Sequence, residues 1–275
     1  MKRTLATLLF LFVAVASAQA HDMFLKLDSF FLQPHATAPI ALINGTFAAS
    51  ENTITRDRMR DVLVVGPVDE TFHPEHSAWT DRDLTSYLNW TSGGPGTYAI
   101  GVSTAPNMIE LTADEFNEYL EHDGVLDVLE ARRASGKLDK PAAERYSKHV
   151  KALVQVSEAR SAAFAAELGY PAEIVPLANP YELGAGDTLE LRILVHGKPV
   201  AGQLVYAGYD GFEPHDEGGH HHREAIHTES DADGLIRLAL SEPGRWYVRY
   251  IHMVPVDEPG VDYESTWATL TFEIR

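Results

Sequence analysis

The 275-residue chain contains no cysteine. Disulfides, thiolate metal sites and a lipid-anchored cysteine start are therefore excluded. Basic residues are scarce: 22 Lys and Arg stand against 40 Asp and Glu, a formal charge of −18. Such a balance disfavours nucleic acid and anionic membrane surfaces as partners, and it is compatible with attracting cations. Long apolar runs are also missing. Beyond the first twenty residues nothing approaches the roughly twenty apolar residues that a membrane span needs, so no membrane insertion is expected of the processed chain. The common catalytic signatures are absent too. There is no Gly-x-Ser-x-Gly, no phosphate loop, no His-Glu-x-x-His and no dinucleotide fingerprint. These absences argue against a hydrolase, and no catalytic residue is assigned.

What is present begins at the amino terminus. Lys2 and Arg3 precede a largely apolar run from Leu5 to Ser17, and Ala18-Gln19-Ala20 is a small-x-small cleavage site. This pattern reads as a secretory signal peptide over 1–20. Cleavage after Ala20 would make His21 the first residue of a periplasmic chain and, with Lys2 and Arg3 gone, take the charge from −18 to −20. All 13 histidines lie beyond that site.

Pattern divides the remainder into three zones. Residues 21–110 carry short apolar runs bounded by turn formers, such as Val62-Leu63-Val64-Val65, and read as a β domain. Residues 111–169 read as a helical insertion. Thr112 and Glu115 fit a capping box, a second helix is expected over Val125–Ala134, and a third from about Pro141 carries Tyr146, Val150, Leu153 and Val154 on one side. Residues 170–275 return to a period of two, as in Leu189, Leu191, Ile193 and Val195 or Trp246, Val248 and Tyr250. The expected fold is mainly β: two immunoglobulin-like β-sandwich domains with an α-helical insertion between them.

A histidine at the first position offers two nitrogens from one residue. Its α-amino group and ring Nδ1 can close a six-membered chelate, and neutral nitrogen ligands suit Ni, Co, Cu or Zn. A second imidazole would complete a histidine brace. His252, which continues the Trp246, Val248, Tyr250 row, is one candidate partner. The others are His215, His220, His221 and His222, in a loop that also carries Asp216, Glu217 and Glu224, with His227 just beyond. Several imidazoles within reach of one another raise the local ligand concentration. His122 and His149 are expected to be exposed on helices. His35, His73, His76 and His196 read as loop or turn residues.

The segments His21-Asp22-Met23-Phe24-Leu25, Glu173-Ile174-Val175-Pro176, Gly197-Lys198-Pro199, Gly244-Arg245-Trp246-Tyr247 and Thr266-Trp267-Ala268-Thr269 together resemble the domain-of-unknown-function family 4198. The resemblance implies an exported bacterial β-sandwich protein associated with nickel or cobalt uptake. The expectation is therefore a periplasmic protein that binds a transition-metal ion and captures or delivers it for a membrane uptake system. Two alternatives belong to other classes. One is a copper oxidase, since some polysaccharide-cleaving enzymes also carry an amino-terminal histidine brace. The other is a non-catalytic accessory or interaction module of an outer-membrane uptake system.

Overall fold

The computed structural model describes residues 21–68, 70–212 and 225–275. The chain is mainly β, with 52% strand and 13% helix. In chain order the principal elements are β1 (Asp22–Lys26), β2 (Thr37–Gly45), β3 (Met59–Val65), β4 (Thr85–Thr91), β5 (Gly96–Thr104), α1 (Ala113–His122), α2 (Leu126–Ala134), β6 (Ala142–Val156), β7 (Thr188–Val195), β8 (Leu204–Tyr209), β9 (Gly244–Glu258) and β10 (Val261–Ile274).

Among the described residues the strands form three sheets. A ten-stranded sheet has β8, β9, β10, β6, β5 and β3 as consecutive neighbours. One four-stranded sheet contains β1, β2 and β4, and another is built around β7. Both small sheets bury apolar residues in the same core as the large one. Ile40, Leu42 and Leu88 come from the first, Leu189, Leu191 and Ile193 from the second, and Ile100, Val248 and Phe272 from the ten-stranded sheet. This face-to-face burial makes the molecule a sandwich.

The third helix expected from Pro141 is instead the 15-residue strand β6. It pairs parallel with β10, Val150 facing Thr269, and antiparallel with β5, Leu153 facing Ala99. From Ser147 to Val156 every residue is buried. A central strand buried on both faces loses the apolar–polar alternation, so its Val150, Leu153, Val154 spacing fits a helix equally well. The large sheet thus runs without a break from β3 and β5, through β6, into the carboxy-terminal strands. Within 111–169 the α-helices are confined to α1 and α2.

Those helices form as the sequence directs. Thr112 accepts from the Glu115 amide and the Glu115 side chain returns to the Thr112 amide, closing the capping box. Phe116, Tyr119 and Leu120 share one face, which packs with Val128 and Leu129 of α2 against Ile251, Met253, Tyr263 and Trp267. Burial of this face, more than intrinsic propensity, holds such short helices.

Strand β9 separates the two sides of the molecule. Trp246, Val248 and Tyr250 point into the main core. Tyr247 packs with Phe24 and Phe47, while Ile251 and Met253 pack under the helices. Arg249 belongs to this second row, because side chains alternate along a strand.

Candidate functional site

His21 immediately precedes β1, which pairs with β2 in the register Asp22 to Gly45. The strand is fixed from beneath by β10: Thr269 Oγ1 donates to the Met23 carbonyl at 2.8 Å, and Thr271 Oγ1 to the Leu25 carbonyl at 2.6 Å. Lys148 of β6 donates to the His21 carbonyl and, at 3.0 Å, to Asn44 Oδ1. Burial pushes the Lys148 ammonium down to about 8, against the opposing pull of Asp22 and Asp123. The His21 ring is half-buried, with Nδ1 3.4 Å from the Glu51 carboxylate.

The end of α1 meets this strand. Arg249 Nε lies 3.1 Å from Asp22 Oδ2, and Nη1 donates to the Asp123 carbonyl at 3.0 Å. Its guanidinium stacks over the Tyr206 ring at 4.8 Å, and Tyr206 Oη donates to the Gly124 carbonyl at 2.9 Å. Gly124 has φ +77, and a Cβ there would sit 2.3 Å from the Tyr206 ring. Only glycine lets the helix stop so close to Tyr206. This contact sets His122, the last residue of α1, beside the cavity.

The cavity has a volume of about 240 Å³. His21, Asp22, His122 and Asp123 are among the residues that line it, as are the rings of Phe24, Phe47, Tyr209, Phe212 and Tyr247. Phe24 meets Phe47 and Tyr247 edge-on at centroid distances of 5.3 and 5.2 Å. Asp210 also lines the cavity and is held by Lys26 at 2.6 Å and Arg245 at 2.5 Å. His122 Nδ1 lies 3.4 Å from Asp123 Oδ1. A carboxylate on Nδ1 orients an imidazole so that Nε2 is its ligand atom.

Among the described residues, no group of three or more His, Cys, Asp or Glu side chains is arranged to hold a metal ion. Were the chain to begin at His21, its α-amino group would be a further nitrogen donor beside the ring, and His122 lines the same cavity.

Of the residues singled out in the sequence, His21 lies in the cavity. His252 does not join it. Its Nδ1 is 2.9 Å from Gln203 Oε1, and it stands three residues from Arg249 on β9, hence on the opposite face of the sheet. His215, His220, His221 and His222 lie outside the described residues. Phe212, a wall of the cavity, is the last described residue before them, and His227 resumes opposite Tyr206 on the strand Ile226–Glu229. His149 is not exposed: it is buried on β6 between Ser103 Oγ at 2.9 Å and Ser147 Oγ at 3.0 Å. His122 is the residue that sequence reasoning passed over. Its available signal was its place in the last turn of a capped helix, directly before Asp123 and the turn glycine Gly124.

A family model described as Domain of unknown function (DUF4198) matches residues 18–254. The chain belongs to this family. No curated protein matches the DUF4198 chain. Among solved structures it is similar to the D0-D1 domain of Intimin, at 11% identity over 92% of this chain and 97% of that one, with a TM-score of 0.21. It is also similar to a DUF4785 family protein of Legionella pneumophila (10% identity, 81% and 49% covered, TM-score 0.24) and to the Yersinia pseudotuberculosis adhesin InvE (14%, 91% and 58%, TM-score 0.20). At these TM-scores the likenesses carry no argument about the role of the DUF4198 chain.

Proposed function

We propose that this protein is exported, trimmed to begin at His21, and binds a transition-metal ion (nickel, cobalt, copper or zinc) that it captures or delivers for a membrane uptake system. The observation that carries this reading is that His21 and His122 line one cavity. Cleavage after Ala20 would free the His21 amino group, and an α-amino group deprotonates at little cost near neutral pH. The amino nitrogen and Nδ1 would chelate the ion, and His122 would close the brace. Lys148 holds the backbone of His21 through its carbonyl, and the Asp123 carboxylate lies at His122 Nδ1, contacts that would lower the ordering cost of binding. The Asp123 carboxylate lines the cavity beside His122, while Asp22 and Asp210 are already paired with Arg249 and with Lys26 and Arg245.

We read the finer architecture as two immunoglobulin-like halves, 21–110 and 170–275, joined through β6. The family resemblance favours nickel or cobalt as cargo; the donor set suits copper equally.

The test is calorimetry with Ni²⁺ and Cu²⁺ on protein whose chain starts at His21, compared with the same protein carrying one alanine before His21. The extension removes the chelating amine and leaves the fold intact. The affinity is expected to fall at least tenfold. Equal affinity for the two proteins would show that the amino terminus does not bind the ion.

A further inference from the structure

Beneath the two helices lies a buried carboxyl that the candidate site does not use. Glu144 of β6 is 1% exposed. Its Oε1 accepts from Tyr119 Oη of α1 at 3.1 Å and from Ser265 Oγ of β10. Trp267 Nε1 donates to the same Ser265 hydroxyl at 3.0 Å. One carboxyl thus joins helix to sheet, and both of these partners are hydroxyls rather than cations. Water solvates a carboxylate better than two hydroxyls do, so burial favours the protonated form and pushes Glu144 up to about 7. Of the charged groups facing it, Asp123 of α1 opposes ionisation and Lys148 of β6 favours it. Asp22 of β1 acts on both Tyr119 and Lys148. Tyr263 of β10 neighbours Glu144 and meets Arg132 of α2 at 3.5 Å, and the adjoining strand Asn107–Leu111 places uncharged Ile109 opposite.

The helices are separable from the rest of the fold. Phe116, Tyr119, Leu120, Val128 and Leu129 belong to an apolar cluster distinct from the main core. A unit with its own small cluster opens at lower free energy than the whole molecule. The end of α1 carries His122 and Asp123, which line the cavity. Movement of α1 off the sheet therefore moves the cavity wall.

We propose that Glu144 is a proton-controlled latch: protonated, it holds the α1–α2 hairpin on the sheet, and loss of the proton shifts the hairpin toward an open form that widens the cavity. The inference needs no occupant in the cavity and stands apart from the metal-binding reading. In the open form the carboxyl is hydrated and returns to its ordinary value of 4.5. The closed form keeps its proton to higher pH. Closure is therefore favoured fully below pH 4.5 and weakens as pH rises toward 7.

Amide hydrogen exchange from pH 5 to 8, corrected for the intrinsic pH dependence of exchange, reads this opening. The α1 amides should exchange at least tenfold faster than those of β6. Their opening constant should rise at least tenfold from pH 5 to 7 and then level off. Glu144→Gln, a fixed neutral mimic of the protonated carboxyl, should remove the rise. Tyr119→Phe keeps the ring packing, removes the hydroxyl that binds Glu144, and should raise α1 opening about fivefold at pH 5. It keeps the test valid if Glu144→Gln misfolds. Equal protection of α1 and β6 at every pH, the same rise in the Glu144→Gln protein, or no effect of Tyr119→Phe overturns the latch.

Discussion

Arg249 and Asp22 form a largely buried ion pair, Nε to Oδ2 3.1 Å, and the same guanidinium caps the end of α1 through the Asp123 carbonyl. One side chain thus ties the residue after His21 to the residue after His122. The two histidines come from elements distant in sequence, and this pin holds the sides of their cavity together.

Replacing it should therefore affect both stability and binding. Arg249→Met keeps the length of the side chain and its contact with Tyr206 but leaves Asp22 without its cation. Breaking one partner of a buried pair costs about 3 kcal/mol. Urea denaturation should show a loss of that order, and Cu²⁺ affinity should fall with it. The double variant Asp22→Asn, Arg249→Met should recover part of the stability, because the stranded carboxylate is gone. A double variant no more stable than Arg249→Met would show that the pair does not act as a unit.

His252 lies on the other face of β9, bonded to Gln203. His252→Ala should leave Ni²⁺ and Cu²⁺ affinity within twofold of the unaltered protein. It should cost about 1 kcal/mol of stability through the lost hydrogen bond. A tenfold loss of metal affinity would return His252 to the ligand set.

Two buried groups give the fold opposing pH dependences. Burial pushes His149 down from 6.5 to about 3, so between those values the unfolded chain takes up a proton that the native protein refuses. Stability contributed by neutral His149 is complete above pH 6.5 and is lost as pH falls toward 3. Burial raises Glu144 from 4.5 to about 7, so its native carboxyl holds a proton the unfolded chain has released. That contribution is complete below pH 4.5 and is lost as pH rises toward 7. In urea titrations across pH 4 to 8, His149→Gln should flatten the acid limb and Glu144→Gln the limb between 4.5 and 7. Unchanged slopes in either variant would contradict the corresponding assignment.

Gly124 ends α1 in a left-handed conformation with Tyr206 against it. Gly124→Ala should cost about 1–3 kcal/mol through backbone strain and should displace His122, lowering metal affinity. Thr112→Ala, at the far end of the same helix, should cost about 1 kcal/mol through the lost cap and leave affinity nearly unchanged. Comparable losses of affinity in both would mean that helix stability, not the position of His122, sets binding.

Local chemistry made parts of this structure legible. The Thr112–Glu115 box starts α1 where the sequence reading put it, and the Leu189, Leu191, Ile193 alternation lies on β7. The stretch around Val150 misled because burial on both faces of a central strand removes the period of two. His149 was misplaced with it. In the candidate site, the placing of His21 rested on the cleavage pattern. The place of His122 depends on Arg249 and Tyr206, contacts that no local pattern encodes. His252 continues an apolar row correctly, but that row lies on the face of β9 opposite Arg249, whose guanidinium reaches Asp22 of β1.

On the proposed function, His21 and His122 hold one ion between them. It is tested most directly by competition titration of Cu²⁺ against a chelator of known affinity, on protein that starts at His21, with and without His122→Ala. An affinity at least tenfold weaker is expected in the variant, with one ion bound in each. Equal affinities would contradict it.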